Sequence, residues 1–164
     1  MTKRVLVVCL IAALMAPTTA GATYRDTGYD PNDVKSTPDV RSTTRKVLQV
    51  DGRRVLAVVV RSYGRWPGWR TGFGVKVKLD TRGGPRFDAK LLLLSGEDAI
   101  CTAVRNDEQL SPLDLGFSRD RTRIVCRVPM PFLGSNKRIR WKVMAGTWRL
   151  RHPDYAPSDR SWYV

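Results

Sequence analysis

Phe73, Val75, Val77 and Leu79 alternate with Gly74, Lys76, Lys78 and Asp80, and this two-residue period constrains the chain more than any other feature. Such alternation sends every second side chain to one face, as a half-buried strand requires. The period returns where Thr122, Ile124, Cys126 and Val128 alternate with Arg121, Arg123 and Arg127, and where Ile139, Trp141, Val143 and Ala145 alternate with Arg138, Arg140 and Lys142. Arg45 to Val50 and Arg53 to Arg61 flank Asp51-Gly52, a dipeptide suited to the two-residue type I′ hairpin turn. Within the second arm, Val55 to Val60 is apolar throughout, which suits a strand central in its sheet. Arg86 to Leu94 and Ala99 to Arg105 read as further strands. No helical period of ten or more residues follows the N-terminal region. The pattern predicts an all-β fold of about seven strands, arranged as a two-sheet antiparallel sandwich of jelly-roll type.

The N-terminus reads as an address. Lys3 and Arg4 precede an apolar run from Val5 to Met15, and Ala20-Gly21-Ala22 supplies a cleavage site. A run of this length suits a signal h-region and is too short to span a bilayer. The expected organisation is a signal peptide over 1–22, an irregular Asp-rich lead-in over 23–38 and the sandwich domain over 39–164. The expected location is secreted, with no membrane span after cleavage. Cys9 falls inside the leader, so Cys101 and Cys126 remain as an even pair. In an exported chain such a pair predicts a disulfide, whose loop closure contributes roughly 3–4 kcal/mol.

The formal net charge is +14, unevenly spread. From Arg121 to Arg151 there are nine Lys or Arg and no Asp or Glu. So lopsided a field favours an anionic partner. Alternation would gather Arg121, Arg123, Arg127, Arg138, Arg140 and Lys142 on the outside of the sheet, with Lys76 and Lys78 extending the patch. Such a face is either a binding surface for an anionic polymer or a solvated exterior. The segment Arg61-Ser62-Tyr63-Gly64-Arg65-Trp66-Pro67-Gly68-Trp69-Arg70 offers a second candidate. Tyr63, Trp66 and Trp69 could stack on flat ligand faces while Arg65 and Arg70 fork onto oxyanions. Alternatively, the tryptophans fold back to cap the core.

Asp26, Asp30, Asp33 and Asp39, with Asn32 among them, offer oxygen ligands of the kind calcium takes. Asp154 and Asp159 could join them if the termini meet. The alternative is turn chemistry in a loop. No cofactor other than calcium is suggested. The only histidine, His152, sits in the tail between Arg151 and Pro153, and Glu97 and Glu108 are the only glutamates. Catalysis would therefore need a pair of carboxylates meeting in a cleft.

Asp33-Val34-Lys35-Ser36-Thr37-Pro38-Asp39-Val40-Arg41 carries a D-V-x-x-x-x-D-V pattern ahead of a first strand and a charged hairpin. With the late cysteine pair and an Asp-containing tail, it resembles a group of small exported actinobacterial proteins, themselves similar to DOMON-like and sugar-binding β-sandwich modules. The resemblance implies a sandwich fold and assigns no activity. Taken together, the sequence predicts an exported, non-catalytic binding module for an anionic surface polymer or polysaccharide. The alternatives are a structural or interaction module with no small ligand, with or without calcium in its N-terminal loop, and a hydrolase using a carboxylate pair.

Overall fold

The computed structural model describes residues 22–33, 39–66, 73–83, 87–94, 100–118, 120–134, 139–147, 153–157 and 163. Among the described residues it is all-β and antiparallel, with one short helix. The strands are β1 (Ala22–Tyr29), β2 (Val40–Val50), β3 (Arg53–Ser62), β4 (Phe73–Asp80), β5 (Ala89–Leu94), β6 (Ile100–Arg105), β7 (Glu108–Phe117), β8 (Arg123–Pro129), β9 (Arg140–Thr147) and β10 (Asp154–Ala156), with α1 (Met130–Leu133) between β8 and β9. They form one ten-stranded sheet in the order β1-β2-β3-β8-β7-β6-β5-β4-β9-β10.

A continuous, nearly barrel-like sheet replaces the expected seven-stranded, two-sheet sandwich. The strand β7 explains the difference. Its first half, to Leu113, pairs with β6, and its second half, from Asp114, pairs with β8. A strand that changes partner partway turns a corner, so the sheet bends there without breaking in two. The bend brings Cys101 on β6 and Cys126 on β8 together, with Cα atoms 6.1 Å apart, and they form the expected disulfide.

The ends of the sheet meet through side chains. β10 packs against β2, and the Val40 amide donates to Asp154 Oδ2 at 2.5 Å. Trp141 Nε1 on β9 donates to Thr43 Oγ1 on β2 at 2.7 Å. Tyr163, bridged to Trp141, donates its hydroxyl to the Tyr29 carbonyl at 2.9 Å. The buried Arg45 guanidinium lies 4.6 Å from the Trp141 ring centre and pairs with Asp26 at 3.5 Å.

Two predicted features are present as read. Asp51 and Gly52 both take positive φ, 47° and 73°, as a type I′ turn demands. Val75, Val77 and Leu79 point into one core with Leu56, Val58, Val60, Ile124, Cys126, Val128, Trp141 and Val143. The lead-in differs: residues 23–29, expected to be irregular, belong to the strand Ala22–Tyr29, paired with β2. Among the described residues no helix is long and apolar enough to cross a membrane. Residues 1–21, within the segment expected to be a signal peptide, lie outside the described residues.

Candidate functional site

The outer face of the β1-β2-β3-β8 portion follows from parity and register. Val47, Leu56, Val58, Val60, Ile124, Cys126 and Val128 belong to the core, so their chain neighbours point outward. The register aligns Ser42, Arg61 and Arg123 in one row, Thr44, Val59 and Val125 in the next, and Lys46, Ala57 and Arg127 in a third. β1 adds Thr27 beside Thr44 and Arg25 beside Lys46, and the Thr27 and Thr44 hydroxyls lie 2.9 Å apart. Basic rows therefore border a stripe of short side chains, which long cationic stems can cover. Thr44 and Val59 are buried although they belong to the outer side. Tyr29 ends the first row, 76% exposed.

Arg61 and Arg123, with Ser118, Asp120 and Thr122, line an open depression of about 700 Å³. Burial, then the charges of Arg25, Arg61 and Arg123, hold the Lys46 ammonium below its ordinary pKa. The ion pairs among the described residues are Arg45–Asp26, Arg82–Asp88, Arg127–Asp114 and Arg140–Asp80. None of them involves Arg25, Lys46, Arg61 or Arg123. Asp120, at the rim, is held by the Ser118 hydroxyl and then by the Thr122 amide and hydroxyl, which lower its carboxyl to about 2. It remains charged and caps its own turn.

A second basic row lies outside β5, β4 and β9. Lys90, Lys78 and Lys142 are direct partners across these strands. Lys76 stands two residues along β4 on the same face. Burial lowers the pKa of Lys76, helped by Lys78 and Lys90, and likewise that of Lys78, helped by Lys142. The Lys78 ammonium lies 4.9 Å from the centre of the exposed Phe87 ring.

The expected basic patch is thus divided. Four strands, β7, β6, β5 and β4, separate β8 from β9, so Arg123 and Arg127 share no face with Arg140 and Lys142. Arg121 precedes β8, in a turn with φ of 58°. Arg127 pairs with Asp114 at 2.5 Å. Arg140 donates from Nε to the buried Asp80 carboxylate at 2.8 Å and pairs with it again through Nη2, so this arginine anchors β9 to β4. Arg138 lies outside the described residues.

Within the aromatic segment, Trp66 takes the alternative of folding back onto the core. Trp66 is 2% exposed and stacks on Phe73 with centroids 5.3 Å apart and planes 15° apart. Its ring is part of the core. Tyr63 is exposed, its hydroxyl donates to the Asp30 carbonyl at 2.9 Å and the Arg41 guanidinium lies 5.9 Å from its ring centre. Arg65 is exposed. Trp69 and Arg70 lie outside the described residues. Sequence reasoning missed Arg25, Lys46 and Lys90, and grouped Arg61 with the aromatic segment instead of with Arg123, because the grouping depends on which strands pair.

The acidic residues do gather. Asp30, Asp33, Asp39 and Asp154 each bring a carboxylate oxygen within 4.8 Å of the others. Asp33 is exposed and the other three are buried. Burial pushes the Asp154 carboxyl up to about 6; the Val40 amide opposes the shift, and the Asp39 and Asp33 charges reinforce it. Asp26 is elsewhere, paired with Arg45, and Asn32 is exposed. Glu108 is exposed on β7, whereas His152, Glu97 and Asp159 lie outside the described residues.

No family model matches the chain, and neither does any curated protein or solved structure.

Proposed function

We propose that this chain is an exported, non-catalytic module that binds a linear anionic polysaccharide. The observation that supports this reading is the group of four cations, Arg25, Lys46, Arg61 and Arg123, brought to one outer face by three strand pairings and paired with no carboxylate among the described residues. Like charges on neighbouring strands repel, and an oxyanion between them would relieve that repulsion. Thr44 and Val59 between the basic rows are buried, so a chain would lie over the cationic side chains that border them. Exposed Tyr29 offers a ring for a sugar face. The leader expected over 1–22 would place the module where surface polymers are found.

The test is a titration with a fluorescent heparin oligosaccharide over a salt series. Arg61→Gln/Arg123→Gln should weaken binding and flatten the slope of log affinity against log salt by about 1–2. An unchanged slope in the folded variant would place the contacts elsewhere.

The acidic quartet supports a second reading, in which calcium stabilises the fold where β1, β2 and β10 meet. Its all-oxygen donor set suits a hard cation. Millimolar calcium should then raise the melting temperature, and Asp39→Asn/Asp154→Asn should abolish that rise. An identical melt in calcium and in chelator would remove this reading.

A further inference from the structure

Around the nearly closed sheet, three strands, β7, β6 and β5, separate β8 from β4 in one direction. In the other, β9, β10, β1 and β2 lie between β4 and β3. The Arg61–Arg123 face and the lysine row therefore look out from opposite sides of the molecule. Each is basic, and each has an exposed ring close by, Tyr29 on one and Phe87 on the other.

The lysine row carries its own argument. Directly opposed like charges destabilise an antiparallel pair. Here the clash occurs twice in succession, Lys90 against Lys78 and Lys78 against Lys142, with Lys76 adjoining. Strand spacing sets the three aligned lysines about 5 Å apart from neighbour to neighbour. Ammonium groups in such a row can meet successive anionic groups of an extended polymer.

We propose that the protein bridges two anionic polysaccharide chains, one on the arginine-rich face and the other on the lysine row. This rests on the polysaccharide-binding reading above and adds a valency of two. The consequence is cross-linking: long polymers should be drawn together near equivalence and dispersed again by excess protein, when each chain is separately coated.

Light scattering of wild-type protein titrated into long-chain dextran sulfate tests this, beside calorimetric stoichiometry with a short heparin oligosaccharide. The expected results are scattering that rises and then falls, and two oligosaccharides per protein. Lys78→Gln/Lys90→Gln/Lys142→Gln should abolish scattering and lower the stoichiometry from two to one. Its salt slope for the remaining site should match wild type. The wild-type stoichiometry needs no variant, so a misfolded triple mutant leaves the test intact. One oligosaccharide per wild-type molecule, bound normally, would overturn bridging while sparing the single-face reading. No binding at low salt would overturn both. Scattering without polymer would assign the effect to self-association and overturn bridging. Bridging of duplex DNA but not of dextran sulfate would overturn the polysaccharide as occupant.

Discussion

Arg61 on β3 and Arg123 on β8 face each other as direct partners on the outside of the sheet. Two guanidinium groups so placed repel, and removing one should relieve the fold by roughly 0.2–1 kcal/mol. Arg61→Gln is therefore expected to be as stable as wild type or slightly more stable at low salt, with any gain shrinking at high salt. Urea melts at two ionic strengths measure this. A clear loss of stability at both would mean that Arg61 has a structural partner.

Trp66→Ala should separate core from platform. Its stacked, buried ring predicts a loss of roughly 3–5 kcal/mol of stability, with polysaccharide affinity unchanged wherever the variant remains folded. Denaturant melts and the binding titration report the two quantities separately. Full stability with weakened binding would restore the aromatic platform.

Gly28→Ala tests the closure. A Cβ at Gly28 would lie 2.3 Å from the Tyr163 ring, so the ring or β1 must shift, at a cost of about 1–3 kcal/mol. Tyr163→Ala removes the obstacle, and the double variant should lose less than the sum of the single changes. Strict additivity would show that Tyr163 does not close the sheet against β1.

The raised Asp154 carboxyl makes stability depend on pH. Its pKa rises from the ordinary 3.8 to about 6 in the folded chain. Between these values the folded state holds the proton more tightly than the unfolded state does, so folding is linked to proton uptake. This contribution is fully present below about pH 4, is lost as the pH rises to about 6, and stays lost above it. Asp154→Asn should flatten that part of the profile. Chemical denaturation from pH 4 to 7 measures it, and an identical decline in the variant would assign it to another group.

The sequence makes some of these features legible and hides others for physical reasons. Alternation in β4 and the Asp51-Gly52 turn are local signals, and both appear in the structure. The inward parity of Cys101 and Cys126 points to their bond. β7 is less legible because Glu108, Gln109 and Ser111 break the apolar alternation and Pro112 argues against a strand interior. β1 is disguised by Asp26, Thr27 and Gly28, which read as a loop yet pair along β2. The acidic quartet is half legible: Asp30, Asp33 and Asp39 are near in sequence, but Asp154 arrives through the meeting of β10 with β2. The basic faces depend on pairing order. Nothing local places Lys90 beside Lys78, or Arg61 beside Arg123.

The most direct measurement of the central claim is amide chemical-shift mapping of the labelled protein with a sulfated hexasaccharide at low salt. The expected shifts lie along Thr44, Val59, Arg61, Arg123 and Val125, with a second set on the lysine row at higher ligand. Shifts confined to the Tyr63–Trp66 segment, or none at saturating ligand, would contradict binding on the outer faces of the sheet.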